Sequence, residues 1–141
     1  MALLLDTSVL VKVFTAEEGS PAAIALLHRP GVLHVGPLTE HELSCALNRK
    51  RLAGVLRPAE AAEIEADFRA LLEGSLRTVP FTDALSRQAL SFIHQHGLLG
   101  LRTLDAIQLA ACLELPKPEL ATADRRLAVI AERRMIRVSL I

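Results

Sequence analysis

The sequence predicts an α/β chain with a mostly parallel sheet covered by helices on both faces. Three observations carry this. Short apolar runs (ALLL at 2–5, VLHV at 32–35, LRTVPF at 76–81, ELATA at 119–123, IRVSL at 136–140) alternate with longer helical patterns along the whole chain. ALLL and VLHV suit strands buried on both sides, as a parallel sheet requires. Finally, 51% of the residues are hydrophobic but only 3% are aromatic, so the core is built from Leu, Ala, Val and Ile.

Residues 2–5 read as a buried strand. TSVLVKVF at 7–14 fits strand or helix by pattern, since β-branched residues alternate with others. A turn of helix after Asp6 is the better reading, because a strand running from 2 to 14 would bury Asp6 and Lys12. Ser20 is a good N-cap and Pro21 suits a first helical position, so a helix starts there and stops before Pro30 and Gly31. After the strand at 32–35, Thr39 reads as an N-cap, with Glu42 three residues on as the far half of a capping box. Gly54 ends that helix. Pro58 opens AEAAEIEADFRALLEG, which Gly74 closes. A strand at 76–81 runs into Pro80, and Thr82 caps DALSRQALSFIHQHG. Thr103 caps LDAIQLAACLEL, which stops at Pro116. ELATA, then the helix DRRLAVIAERRM, then IRVSL complete the chain. No repeat, low-complexity tract or linker interrupts it, so residues 1–141 are expected to form one domain.

Lys plus Arg equals Asp plus Glu at 16 each, so no net field draws the chain toward nucleic acid, though a local basic rim suffices for binding. Scarce aromatics count against base-stacking platforms. Cys45 and Cys112 lie in apolar helical patterns without metal-type spacing and read as buried, reduced thiols. No signal peptide or membrane-length apolar run is evident, so a soluble cytoplasmic protein is expected. A chain this apolar with no net charge is also expected to cover part of its surface with a partner or a second copy.

Four carboxylates stand out. Asp6 follows the first strand, and Asp124 follows the fourth. Glu42 and Asp105 each lie in the first turn of a helix. In a parallel sheet these positions gather at the carboxyl edge, where α/β sheets bind ligands near a switch in strand order. Taken singly, each also reads as a cap or a partner of a helix dipole. Taken together, four like charges at one edge call for a bound cation or for protonation. Hard oxygen ligands without Cys or His select Mg2+ or Mn2+. One or two such ions acidify a water and clamp a phosphodiester for in-line attack.

The pieces LLLDTSVLVKVF with EEGS, LTEHELSCALNR, GLLGLRTLDAIQLAACLEL and LATADRRLAVIAE span nearly the whole chain. In this order and spacing the chain resembles PIN-domain ribonucleases, most closely the VapC-type toxins of bacterial toxin–antitoxin pairs. The resemblance implies an α/β/α sandwich around a parallel sheet of order 3-2-1-4-5. It implies a metal-dependent endoribonuclease that cleaves RNA with a metal-activated water, with Asp6, Glu42, Asp105 and Asp124 as the acidic metal-site residues. Ser8 and Thr122 would be hydroxyls that orient carboxylates or the water. A cognate antitoxin and a homodimer are implied too, with segments 21–28 and 38–53 as docking helices. Gln108 departs from the pattern, since many relatives carry His there. It lies one turn beyond Asp105, where it bears on substrate contacts and leaves the acidic set intact.

RNA needs cations near the acids. Lys12, Arg49 and Arg102 are the candidates, with Lys50 and Arg51 beside them. Arg49 is two helical turns after Glu42, and Arg102 directly precedes the helix start carrying Asp105. Each also reads as a solvated side chain. The pairs at 125–126 and 133–134 read as a solvated helix face. His94 and His96, two apart, point away from each other on a helix, and His41 projects about 100° from Glu42. An aspartate-based phosphohydrolase would want a second acid at position 8, where Ser8 stands. A receiver domain would want a Lys after its last strand, and the chain ends IRVSLI. A non-catalytic PIN domain would be favoured by a damaged acidic set, and the set is intact.

Overall fold

The structure is a computed structural model that describes residues 2–141. Its elements in chain order are β1 Ala2–Leu5, α1 Thr7–Phe14, α2 Ser20–Leu27, β2 Leu33–Val35, α3 Thr39–Leu52 and α4 Pro58–Gly74. These are followed by β3 Leu76–Thr78, α5 Asp83–His96, α6 Thr103–Leu113, β4 Pro118–Thr122, α7 Arg125–Arg133 and β5 Arg137–Leu140, with a 3-10 turn at Gly97–Leu99. The five strands form one parallel sheet in the order β3-β2-β1-β4-β5. The chain builds outward from β1 to one edge and then returns to β4 on its other side. The switch in strand order therefore falls between β1 and β4, and a crevice opens beyond their carboxyl ends.

The period of two along each strand divides the core. Leu3 and Leu5 of β1 face one way with Ala121, against Val9 and Leu10 of α1, Leu43 and Leu47 of α3, and Phe68 of α4. Leu4 and Leu120 face the other way, against Leu85 and Phe92 of α5, Leu109 of α6, and Leu127 and Ile130 of α7. The result is a sandwich with α1–α4 on one face and α5–α7 on the other. At about 1.5–3 kcal/mol for each fully buried large aliphatic side chain, these two clusters hold β1 rigidly at the centre of the sheet.

One polar contact crosses the lower part of the sheet. Glu119 of β4 is 2% exposed, yet charged. Arg29, in the turn after α2, grips it with two hydrogen bonds of 2.8 and 3.0 Å, and the Ser139 hydroxyl donates at 2.6 Å. The Arg29 hydrogen bonds, helped by Ser139, hold the Glu119 carboxyl below its ordinary range.

Local chemistry at several helix starts differs from the sequence reading. Ser20 is the first residue of α2, not its cap, and Gly19 occupies the cap position at φ 87°. The Ser20 hydroxyl instead donates to the Thr15 carbonyl and accepts from the Glu17 N–H, fixing the preceding loop. Thr39 likewise begins α3, with Leu38 at the cap position and no side-chain cap, so the expected box with Glu42 does not form. Thr103 begins α6 after Arg102, and Asp105 supplies the cap by accepting from the Arg102 backbone N–H at 3.2 Å. Thr82 does cap α5, accepting from the Leu85 N–H. β3 is shorter than expected. Its last rung is the Val79 N–H to the Val35 carbonyl, and Pro80 has no N–H to continue. Cys45 is exposed on α3, contrary to the expected burial, because its neighbours Ala46 and Leu47 take the core face. Cys112 is buried, and burial pushes its thiol up to about 12. No described helix is long and apolar enough to cross a membrane.

Candidate active site

Four helices begin at the carboxyl edge of the sheet and bring their acids there. Asp6 sits between β1 and α1, Asp124 precedes α7, Asp105 is in the first turn of α6, and Glu42 is in the first turn of α3. The partial positive charge of helix N-termini makes this a tolerable place for carboxylates. All four acids line one cleft of about 220 Å³, together with Thr7, Ser8, Arg49 and Arg102.

Asp6 is 7% exposed and stands at the cap position of α1, yet its carboxylate accepts nothing from the α1 backbone. It is held from three other directions. Ser8 donates to Oδ2 at 2.6 Å, Thr122 donates to the same oxygen at 3.0 Å, and Gln108 Nε2 donates to Oδ1 at 3.0 Å. The two hydroxyls are oriented in turn, Ser8 by the Ala123 N–H and Thr122 by the Asp124 N–H. The Ser8–Thr122–Asp6 group thus ties β1 to β4 across the switch point.

Asp124 has a divided role. Its Oδ1 caps α7, accepting from the N–H groups of Arg126 and Leu127, while Oδ2 faces Arg102 and Arg126, each 3.6 Å away. Asp105 Oδ2 accepts from Arg102 Nε at 3.2 Å and lies 3.6 Å from Arg126 Nη2. Two guanidiniums therefore span two carboxylates. Arg102 was expected near the site. Arg126 was read as part of a solvated face, and nothing in the sequence distinguishes it from Arg125. Gln108 was legible only as a neighbour one turn from Asp105, and its bond to Asp6 needs the packing of α6 beside β1.

Glu42 carries the clearest electrostatic signature. Burial first, and then the negative charge of Asp6, push its carboxyl up to about 7, with Asp105 adding to the effect and Arg102 opposing it. The nearby Thr7 hydroxyl also favours the ionised form. That hydroxyl is buried and has no well-formed hydrogen bond among the described residues.

The basic candidates divide. Arg49 borders the acidic cleft and two adjoining grooves of about 580 and 440 Å³, and is exposed. Lys12 lines the smaller groove but is engaged, its Nζ donating to the Glu18 carbonyl at 2.6 Å and to Glu17 at 3.4 Å. Lys50 also pairs with Glu17. His41 lines the larger groove beside Glu42.

The donor set suits a hard divalent cation. It is all oxygen, it includes an orphaned buried hydroxyl at Thr7, and it holds an acid at Glu42 whose proton a cation would displace. Among the described residues no three of His, Cys, Asp and Glu converge closely enough to cage an ion as they stand. Arg102 and Arg126 lie against the carboxylates of Asp105 and Asp124 that would have to turn inward.

The fold recurs in solved structures. The chain is similar to VapC20 of Mycobacterium tuberculosis, described as a sarcin-ricin loop cleaving toxin, with TM-score 0.72 and 19% identity over 90% of this chain and 93% of that one. It is similar to VapBC2 of Rickettsia felis, solved on a promoter DNA fragment, with TM-score 0.70 and 12% identity over 99% and 98% of the two chains. FitAcB of Neisseria gonorrhoeae matches with TM-score 0.61 and 18% identity over 96% and 95%. At these identities the likeness is one of fold. No curated protein matches by sequence. The PIN domain model matches residues 3–133, a span that includes β2 to β4, all but the first residue of β1, and all four acids, and the chain therefore belongs to the PIN domain family.

Proposed function

We propose that the chain is a Mg2+- or Mn2+-dependent endoribonuclease, the toxin of a toxin–antitoxin pair, working in the cytoplasm as one domain over residues 1–141. The observation that carries this is the convergence of Asp6, Glu42, Asp105 and Asp124 on one cleft, with Arg49 and Arg102 at its rim. In this reading the four acids hold the cation, with Asp6 fixed by Ser8 and Thr122. Such a cation supplies Lewis acidity at a phosphodiester and acidifies water beside it. Glu42, whose carboxyl is raised to about 7 without a cation, would give up its proton to serve as an ionised ligand when the cation binds. Arg49 and Arg102 attract the backbone phosphates, and the groove past Lys12 gives the strand a path.

The antitoxin and a second copy are the proposed protein partners. Among the fold neighbours, VapC20 is described as a toxin, and VapBC2 and FitAB are described as bound to DNA fragments, and this supports the first. Exposed Ile24 on segment 21–28 and Leu52 on segment 38–53 support docking there.

A second reading is favoured by one observation. If Arg102 and Arg126 permanently neutralise Asp105 and Asp124, the chain is a non-catalytic PIN domain that binds RNA or protein. Sequencing RNA 5′ ends after induced expression of wild type and Asp105→Asn separates the two. Discrete new ends with wild type alone support the nuclease, and identical end profiles support the second reading.

A further inference from the structure

Gln108 is a buried polar side chain, 3% exposed, on the face of α6 that also carries Asp105. Its Nε2 donates to Asp6 Oδ1 at 3.0 Å. The opposite side of its amide rests on the turn after β2. A Cβ built on Gly36 would collide with Gln108 Oε1 and come within 2.8 Å of its Cδ. No side chain fits at position 36 while Gln108 keeps this conformation. We propose that Gln108 is a positioning residue that sets the face Asp6 presents to the cleft, and that position 36 is glycine to seat it.

The geometry gives this a definite consequence. An ionised carboxylate has about four acceptor positions. Ser8, Thr122 and Gln108 fill three of them on Asp6. Ser8 and Thr122 both bind Oδ2, so without Gln108 the Oδ1 side is unanchored and the carboxylate can rock about its Cβ–Cγ bond. With Gln108 in place, one direction on Oδ1 remains for an incoming group. Asp6 is then prepared to bind a cation through one oxygen, in a fixed orientation. Groups that hold a ligating carboxylate in this way typically alter metal affinity by about 10–100-fold when removed.

The inference rests on the metal-site reading for its consequence, but not for the contact itself, and two measurements keep these apart. In chelator, the Nε2 protons of Gln108 should exchange slowly with solvent, and the one facing Asp6 should shift in Asp6→Asn. Exchange as fast as that of an exposed Gln amide, with no shift in that substitution, would overturn the positioning role. With Mn2+ as the probe, Gln108→Met fills the space without a donor and should bind at least about tenfold more weakly than wild type, with a somewhat lower metal-free melting temperature because the buried Asp6 carboxylate loses a donor. Gln108→His, which keeps an N–H donor of comparable reach, should recover most of the affinity. Gly36→Ala should weaken Mn2+ binding as Gln108→Met does. Wild-type affinity in Gln108→Met would overturn the proposal. Should wild type itself bind no Mn2+, the metal reading fails, and the amide signals alone decide whether Gln108 orders Asp6.

Discussion

Arg126 Nη2 lies 3.6 Å from Asp105 Oδ2, so a residue of α7 holds a carboxylate of α6 across the candidate metal cleft. The same nitrogen is 3.6 Å from Asp124 Oδ2. A guanidinium there competes with a divalent cation for the same oxygens. Arg126 is 41% exposed, so the competition is worth no more than about 1 kcal/mol. Arg126→Gln is expected to tighten Mn2+ binding by up to about fivefold at low salt, with the gain fading at high salt. Calorimetric titration at two ionic strengths checks this. Weaker binding in the variant would mean that Arg126 assembles the site instead of competing for it.

Glu42 makes the metal-free protein pH-sensitive. Its folded carboxyl is raised to about 7 from an ordinary 4.5, so the fold favours the protonated form. That contribution is fully present below 4.5 and is lost as pH rises through about 7. In chelator, Glu42→Gln should match wild type near pH 4 and exceed it in stability at pH 8. Mn2+ should reverse the order at pH 8, because binding to the folded state stabilises wild type by mass action. Urea midpoints at the two pH values, with and without the ion, read this directly.

The Arg29–Glu119 pair tests the opposite sign. Removing Arg29 leaves a carboxylate buried on β4 that keeps the Ser139 hydroxyl as a donor and the positive charge of Arg137 nearby. Arg29→Met is expected to cost about 1–3 kcal/mol, less than a fully buried pair, because the Arg29 side chain is 36% exposed. The Glu119 carboxyl is lowered in the fold, so its contribution is present above the ordinary value of 4.5 and is lost as pH falls through its folded value. The gap between variant and wild type should therefore narrow in acid. A constant gap from pH 3 to 7 would assign the loss to packing of the Arg29 stem.

The alternation of elements was legible because strand and helix periods are written in the apolar pattern, and ALLL at β1 is buried throughout as read. The helix at 7–14 was ambiguous by period and was settled by the cost of burying Asp6 and Lys12 in a strand. The caps were less legible. Ser20, Thr39 and Thr103 each stand one residue inside the helix they were expected to cap, since a hydroxyl before an apolar run fits either position. At the cleft, the acids follow from their places after strands and at helix starts. The Gln108–Asp6 bond spans 102 residues, and no local pattern encodes it. The tether on Lys12 was equally hidden, because Glu17 and Glu18 approach it only through the turn after α1.

Asp6 stands where an N-cap worth ~1 kcal/mol would stand, but it is no cap of α1, and three side-chain donors converge on it instead. Asp6→Ala strands these buried donors and should cost about 1–3 kcal/mol without metal. Asp6→Asn keeps the shape and the partners of the two hydroxyls and should melt close to wild type.

The most direct test is cleavage of a structured RNA by purified wild type, Asp6→Asn and Asp105→Asn, each with Mn2+ and with chelator. Wild type should cut only with the ion. Both variants should be folded by circular dichroism yet inactive, since a neutral amide is a poor ligand for a hard cation. Cleavage by either variant at the wild-type rate in Mn2+, or by wild type in chelator, would contradict the account.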